Sequence, residues 1–104
     1  MTTRDRIRVI GSRDTVLGFS LLGISGNTPT DAEDLARLLH EAFADPQMAL
    51  ILIEEQVASV APELVAELQG RKDFPLVVEV PGPNGALEKE SLKDYIAGAI
   101  GIKL

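Results

Sequence analysis

The sequence predicts a small α/β domain in which four parallel strands form a doubly wound sheet of order 2-1-3-4. Apolar stretches of strand length alternate with segments whose apolar residues recur at helical spacing, which is typical of consecutive β-α-β units. The stretch 48–53, MALILI, is apolar without interruption, as expected of a strand that is covered on both faces. A chain of 104 residues has the size of one domain.

The composition excludes several classes of site. There is no cysteine, so disulfides, thiolate zinc sites and thiol catalysis are excluded. A net charge of −6 argues against a nucleic-acid or anionic-membrane surface, which needs clustered lysine and arginine. The longest apolar run is too short to cross a bilayer, so no direct membrane insertion is expected. We interpret the basic start of the chain as solvated flanks of an exposed segment; it contains Arg4, Arg6, Arg8 and Arg13.

The first β-α unit is predicted at residues 7–23. The stretch 7–11 is the first strand, and Ser12 or Asp14 is a suitable N-cap because its side-chain oxygen can accept a backbone N–H. Gly23 is placed to end the helix. The helix is expected to have one broad apolar side, formed by Val16, Leu17, Phe19, Leu21 and Leu22. A short second strand is expected around 22–25.

The second and third units follow a turn at 26–29. Thr30 and Glu33 have the spacing of a capping box, which predicts a helix that ends at the Asp-Pro pair 45–46. Its buried positions recur at helical spacing: Leu35, Leu38, Leu39, Ala42 and Phe43. The central strand 48–53 comes next. A short helix then opens at Glu54 and Glu55.

A further helix is predicted to begin at Pro62 and to end at Gly70. Its buried side is expected to comprise Leu64, Val65 and Leu68. The stretch 74–81 is the fourth strand. We therefore expect a flavodoxin- or receiver-like parallel α/β domain at 1–80, a Pro- and Gly-rich loop at 81–90 and a C-terminal helix at 91–104. The apolar positions of that helix are Leu92, Tyr95, Ile96, Ala99 and Ile100.

The glycines do not have the spacing of a nucleotide site. A dinucleotide fingerprint needs G-x-G-x-x-G after the first strand, but Gly11 is followed by Ser12 and Arg13, and the next glycine is Gly18. No G-K-[ST] sequence is present, so a P-loop is excluded as well. No cofactor is expected. Gly18 lies inside the first helix, where we interpret it as a site of close packing.

No convincing catalytic or metal-binding set emerges. A receiver domain would have an aspartate after the third strand, whereas this chain has Glu54 and Glu55, acids that we attribute to the dipole of the following helix. His40 has no partner at ligand spacing and is interpreted as a solvated or partly packed helix residue. Glu79 interrupts the fourth strand, either as an edge residue facing water or as a contact to a partner.

Four blocks of the sequence carry a resemblance to a known family. They are VIGSRDTVLGFSLLGI, ALILIEEQVA, FPLVVEVPGP and SLKDYIAGAIGIKL, and within them D-T-x-x-G-F-x-L-x-G-I at 14–24 and P-x-x-x-E-V-P at 75–81 are the strongest patterns. In order and spacing, the chain resembles the F subunit of the prokaryotic V/A-type rotary ATPase. The start MTTRDR extends beyond the usual opening of that family.

The resemblance implies a non-catalytic component of the central stalk, cytoplasmic and peripheral to the membrane. Such a component binds the coiled-coil D subunit of the rotor, transmits torque, and can regulate ATP hydrolysis through a mobile C-terminal helix that reaches the catalytic hexamer. The resemblance leaves open whether ATP is made or hydrolysed and whether protons or sodium move. Beside it, we expect partner or helix docking at Gly18, Phe19, Glu79, Pro81, Tyr95 and Ile96. The alternative is a stand-alone receiver-like signalling or small-molecule-binding module.

Overall fold

The structure is a computed structural model of the chain, and it describes residues 4–71 and 73–83. The helix predicted at 91–104 lies outside these residues, as do the loop positions from 84 onwards. No helix in the described ranges is long and apolar enough to cross a membrane. The elements in chain order are β1 (Arg6–Ile10), α1 (Arg13–Ser20), β2 (Ser25–Asn27), α2 (Ala32–Ala44), β3 (Met48–Glu54), α3 (Glu55–Ala58), α4 (Pro62–Gln69) and β4 (Leu76–Val80).

The four strands form one sheet in the order β2-β1-β3-β4, and every neighbouring pair is parallel. Both the topology and the order confirm the prediction. Because paired residues of parallel strands point to the same side, the register separates two faces. One face carries Ile10, Ile53 and Glu79, and we call it the α2 face. The other carries Val9, Leu52 and Val78, and we call it the α1 face.

The α2 face holds the main core. Helices α2, α3 and α4 pack against it, and their apolar residues recur at the spacing that the sequence predicted. Phe43, Leu64, Leu68 and Val77 pack at the margin of this core. The buried members are Ile10, Leu35, Leu38, Leu39, Ala42, Met48, Ile51, Ile53, Ala58 and Val65.

The α1 face is covered differently, because α1 packs over β1 and β2. Val9 is fully buried there, whereas Ile7, Leu76 and Val78 of the same face remain exposed. A Cβ placed on Gly26 of β2 would lie 2.5 Å from Val9 Cγ1, 2.8 Å from the Val9 carbonyl oxygen and 3.0 Å from Val16 Cγ1. Gly26 therefore provides the space in which α1 approaches the sheet.

Gly18 does not pack against the sheet. Among the described residues, a Cβ added at Gly18 would meet nothing within 4 Å, so the prediction of close packing against the sheet is wrong, whereas packing against a neighbouring molecule stays a prediction. Gly23, in contrast, has φ +82° and donates its N–H to the Ser20 carbonyl at 3.0 Å, just after the last helical residue. This left-handed conformation suits glycine, and Gly23 ends the helical segment as predicted.

Three local predictions need correction. The second strand is three residues long and begins at Ser25, so the strand predicted around 22–25 lies too early in the sequence. The turn predicted at 26–29 therefore begins with strand residues. The N-cap of α2 is Asp31, whose side chain accepts the N–H of Asp34, while Thr30 donates its own N–H to the Asp34 carboxylate. The capping box is real but is shifted from the predicted Thr30–Glu33 pair, because aspartate caps as well as threonine.

The apolar side predicted for α1 is largely solvent-facing. Leu17, Leu21 and Leu22 are 61%, 82% and 75% exposed, whereas Val16 and Phe19 are half-buried. The helix is short and inclined over β1 and β2, so only part of its apolar surface reaches the sheet. The segment is amphipathic, but most of its apolar side faces solvent, where another molecule can contact it.

The basic start of the chain agrees only in part with the prediction of solvated flanks: Arg4, Arg6 and Arg13 are exposed, but Arg8 is half-buried, and β1 lies inside the sheet between β2 and β3. Three of these arginines also have partners. Arg4 donates to the Met48 carbonyl at 2.9 Å and lies 5.5 Å from the centre of the Phe74 ring. The Arg6 guanidinium lies 3.1 Å from the Asp45 carboxylate, and Arg8 donates to the Asn27 amide oxygen at 2.6 Å. These contacts tie residues 4–8 to β3, to β2 and to the turn that follows α2.

The packing of α1 generates a first prediction. Replacing Gly26 by alanine places a methyl group against the backbone of Val9, so Gly26→Ala is expected to lower the free energy of unfolding by about 2 kcal/mol. Gly18→Ala makes the same chemical change at an exposed helical position with free space, and it is expected to raise stability by about 0.5 kcal/mol. Urea unfolding of both variants measures the difference. Equal effects of the two substitutions would contradict this account of how α1 packs.

Candidate functional site

The candidate site lies at the carboxyl edge of the sheet, between β1 and β3. Strand order reverses there, since β1 is followed along the sheet by β2 on one side and β3 on the other. Open α/β sheets bind their ligands in the crevice at this point. Here the crevice contains a side chain of the chain itself, because Glu54, the last residue of β3, turns toward the β1–α1 turn.

Glu54 binds the start of α1. Its Oε1 atom accepts the backbone N–H of Ser12 at 2.9 Å and the Ser12 hydroxyl at 2.9 Å. The Thr15 hydroxyl lies 3.2 Å from that of Ser12, so the three side chains form one polar cluster. Ser12 is the N-cap of α1, where unpaired N–H groups give a partial positive charge, and the carboxylate supplies the compensating negative charge.

The second carboxylate oxygen lies in a close-fitting pocket. Glu54 is 0% exposed, and its Oε2 has no hydrogen-bond partner within residues 4–71 and 73–83. A Cβ on Gly82 would lie 2.7 Å from Oε2, and one on Gly11 would lie 2.8 Å from Oε1. Glycine on both sides of the carboxylate, in the turn after β1 and in the segment after β4, therefore leaves the room in which the carboxylate lies without having to shift.

The surroundings of Glu54 act on its ionisation in opposite directions. Burial raises the pKa of the carboxyl group, but the Thr15 hydroxyl and the N–H and hydroxyl of Ser12 lower it by a larger amount. The net result is a pKa of Glu54 below its ordinary value. The group is thus held as a carboxylate although it is removed from water.

This arrangement corrects two predictions. We attributed Glu54 to the dipole of the helix that follows it, but Glu54 belongs to β3 and binds the N-terminus of α1 instead. Ser12 is the N-cap as predicted, but it makes no side-chain hydrogen bond to the helix, since its hydroxyl donates to Glu54. Two features of the sequence are consistent with the pairing of Glu54 and Ser12: a charged residue ends the apolar strand β3, and a glycine ends the neighbouring strand β1.

A groove lies beside this cluster. It has a volume of about 340 Å³ and separates α1 from the segment that follows β4. Three of the six residues predicted for partner docking, Gly18, Phe19 and Pro81, line it together. The other lining residues are Asp14, Thr15, Leu22, Gly82 and Pro83. Thr15 and Gly82 also contact the Glu54 pocket, so the groove and the buried carboxylate share a wall.

The other three predicted docking residues lie elsewhere or are not described. Glu79 is half-buried on the α2 face, in register with Ile53, and does not line the groove. Tyr95 and Ile96 lie outside the described residues. Leu17 and Leu21, which were predicted to lie on the broad apolar side of the helix, are exposed and extend the apolar surface beside the groove.

His40 is exposed on α2, which agrees with its interpretation as a surface residue. It borders a second groove of about 390 Å³ between α2 and α4, where Arg71 stacks 5.3 Å from the centre of the Phe43 ring. Within 4–71 and 73–83, no group of three or more His, Asp or Glu side chains is placed to hold a metal ion.

The fold and the site together define a class of protein: a doubly wound α/β domain in which a carboxylate of the chain, Glu54, occupies the point where strand order reverses. Comparison with known proteins then identifies the family. The family described as ATP synthase (F/14-kDa) subunit matches residues 7–97. The chain belongs to this family, which confirms the resemblance found in the sequence.

Curated relatives match over almost the whole chain. The F subunit of the A-type ATP synthase of Thermoplasma acidophilum is 35% identical over 98 residues, covering 94% of this chain and 93% of the relative. The corresponding F subunit of Thermococcus kodakarensis is 33% identical over 105 residues, with 95% and 97% covered. That of Methanothermobacter thermautotrophicus is 31% identical over 105 residues, with 94% of each chain covered.

The lowered pKa of Glu54 predicts a pH dependence of stability. Because the folded-state pKa lies below the ordinary value, the carboxylate stabilises the fold fully above pH 4.5 and loses this contribution as the pH falls through the folded-state pKa. Glu54→Gln is therefore expected to be less stable than the wild type by about 2 kcal/mol at pH 7, and the difference should shrink below pH 4.5.

Urea unfolding of both proteins between pH 3 and pH 8 measures that difference. Glu63→Gln serves as the control, because it removes an acid from the exposed first turn of α4. Its stability relative to the wild type should change little over the range. A difference between wild type and Glu54→Gln that stays constant down to pH 3 would show that the ionised form has no special role.

Proposed function

We propose that this protein is the non-catalytic F subunit in the central stalk of an A-type rotary ATP synthase and that it binds the coiled-coil D subunit through α1. The observation that carries the proposal is the groove beside α1, together with the three exposed leucines next to it. In this role the protein is cytoplasmic and associates with the membrane only as part of the complex. Family membership supports the assembly, and the surface supports the place of contact.

The surface has the chemistry that a helical partner requires. Leu17, Leu21 and Leu22 lie together on and just after one short helix, and full burial of a leucine contributes about 1.5–3 kcal/mol. The adjoining groove is lined by Phe19 and Pro81 and can receive apolar side chains from a facing helix. An amphipathic helix that lies in an apolar groove is a common mode of recognition. A coiled coil presents such side chains at regular intervals along its length.

The same geometry supports a non-catalytic role. The carboxylate that could have served as an acid or base, Glu54, is fully buried and bound to Ser12. A receiver-like module would need an accessible acid after β3 to accept a phosphoryl group, so the burial of Glu54 weighs against this alternative. The proposal assigns the chemistry of ATP to other components of the complex.

In this proposal, the α/β domain transmits torque because it is stiff. The sheet is parallel throughout, and the α2 face is packed with buried aliphatic residues from three helices. Protein interiors of this density resist deformation, so a force applied at α1 is passed to the rest of the domain. In this proposal, the helix predicted at 91–104 reaches the catalytic hexamer and regulates hydrolysis, while coupling to proton or sodium movement resides in the membrane part.

The docking surface is tested by introducing a charge into it. Leu21→Asp and Leu22→Asp are expected to weaken binding to the purified D subunit by at least about tenfold, because each removes apolar contact and buries an unpaired carboxylate. Isothermal titration calorimetry measures the dissociation constants. Both residues are exposed in the free chain, so the circular dichroism spectrum and melting temperature should change little.

Val60→Asp is the matched control. Val60 is 52% exposed and lies between α3 and α4, away from the groove. It undergoes the same kind of substitution, and its binding should stay within about twofold of the wild type. Wild-type affinity in both leucine variants would exclude α1 as the docking surface. Absence of binding by the wild type itself would overturn the proposed partnership.

A further inference from the structure

The Glu54 carboxylate has the position and partners of a bound ligand. It lies at the N-terminus of α1, at the carboxyl edge of a parallel sheet and at the point where strand order reverses. In α/β domains that bind nucleotides, a phosphate group occupies this position and accepts backbone N–H groups of the turn. In this protein the Ser12 N–H and hydroxyl make the same kind of contact with a side chain from β3.

A second observation is the burial of the carboxylate itself. Glu54 is completely buried, and among the described residues its Oε2 has no hydrogen-bond partner, so the contacts of Oε1 with Ser12 pair the carboxylate. A buried carboxylate without full pairing is costly unless its surroundings favour negative charge. The N-terminus of α1 provides such surroundings, and the Ser12 and Thr15 groups lower the pKa of the carboxyl group.

We propose that the β1–α1 turn is an oxyanion-binding site that the chain fills with its own Glu54 carboxylate. Ser12 supplies the two donors, and Gly11 and Gly82 leave the space that the carboxylate occupies. The site is closed to external ligands in the native protein because the carboxylate that fills it is completely buried. The ligand class is a small oxyanion, and this inference does not depend on the docking surface proposed for α1.

The size of the side chain suggests a direct test. Glu54→Ala removes the four heavy atoms beyond Cβ, and acetate has the same four heavy atoms, two carbons and two carboxylate oxygens. Acetate should therefore enter the vacated pocket and accept the Ser12 N–H and hydroxyl. Acetamide has the same shape without the charge, so it separates the filling of space from the binding of an anion.

The experiment follows thermal unfolding of the full chain at pH 7 with sodium acetate, acetamide or sodium chloride at matched concentrations and ionic strength. For Glu54→Ala we expect a saturable rise in Tm with acetate, about 5 °C at ten times the dissociation constant, and little response to acetamide or chloride. The wild type should not respond to acetate beyond the effect of chloride, because its site is already filled.

The control variant is Glu63→Ala, which removes one exposed carboxylate. It changes the net charge by the same amount as Glu54→Ala and should show no specific response to acetate. If Glu54→Ala is unfolded in chloride, refolding in acetate supports the site, and failure to fold in both salts overturns it. The proposal is also overturned if acetate stabilises all three proteins alike, or if acetamide is as effective as acetate in Glu54→Ala.

Discussion

The hydrogen bonds between Glu54 and Ser12 are the interaction on which the arrangement of this domain depends. A charge without access to water must be compensated where it lies, and Glu54 is compensated by the N-terminus of a helix from another part of the chain. The contact joins β3 to the β1–α1 turn across 42 residues of sequence. Gly82 then brings the segment after β4 against the same carboxylate. Three separate parts of the chain are thus positioned by one side chain.

The two faces of the sheet have different tasks. The α2 face carries the aliphatic core and provides rigidity. The α1 face is covered only over β1 and β2, where Gly26 lets the helix approach, and the remainder exposes apolar side chains. A short helix that is held firmly at its N-terminus and exposes leucines at its other end is well suited to contact a partner. The buried carboxylate fixes the position of the helix, and in the proposed complex the leucines supply the contact with the partner.

Much of the fold could be predicted from the sequence because its strongest patterns are local. The apolar spacing of α2 and the uninterrupted apolar run of β3 depend only on neighbouring residues, and they led to the observed alternation of strands and helices. The strand order was predicted by analogy with flavodoxin-like domains, and it is the observed one. β2 was misplaced because three residues, including a glycine, carry little strand signal. The apolar side of α1 was predicted correctly as apolar, but its exposure could not be foreseen, because periodicity shows that a face is apolar without showing what covers it.

The site was harder to predict because it depends on distant pairs. Gly18, Phe19 and Pro81 were predicted together and do line one groove. Glu54 is the N-cap residue of α3, as predicted from the start of that helix, but its side chain binds the start of α1, because an acid near a helix start has the same local signature whichever helix it serves. The carboxylate also has a consequence for how the turn after β1 is completed. Glu54 fills the position at which other α/β domains hold a phosphate group, so the turn after β1 is completed by a side chain of this chain and not by ATP, ADP or phosphate. The partial charge at the start of α1 is thus compensated from within the chain.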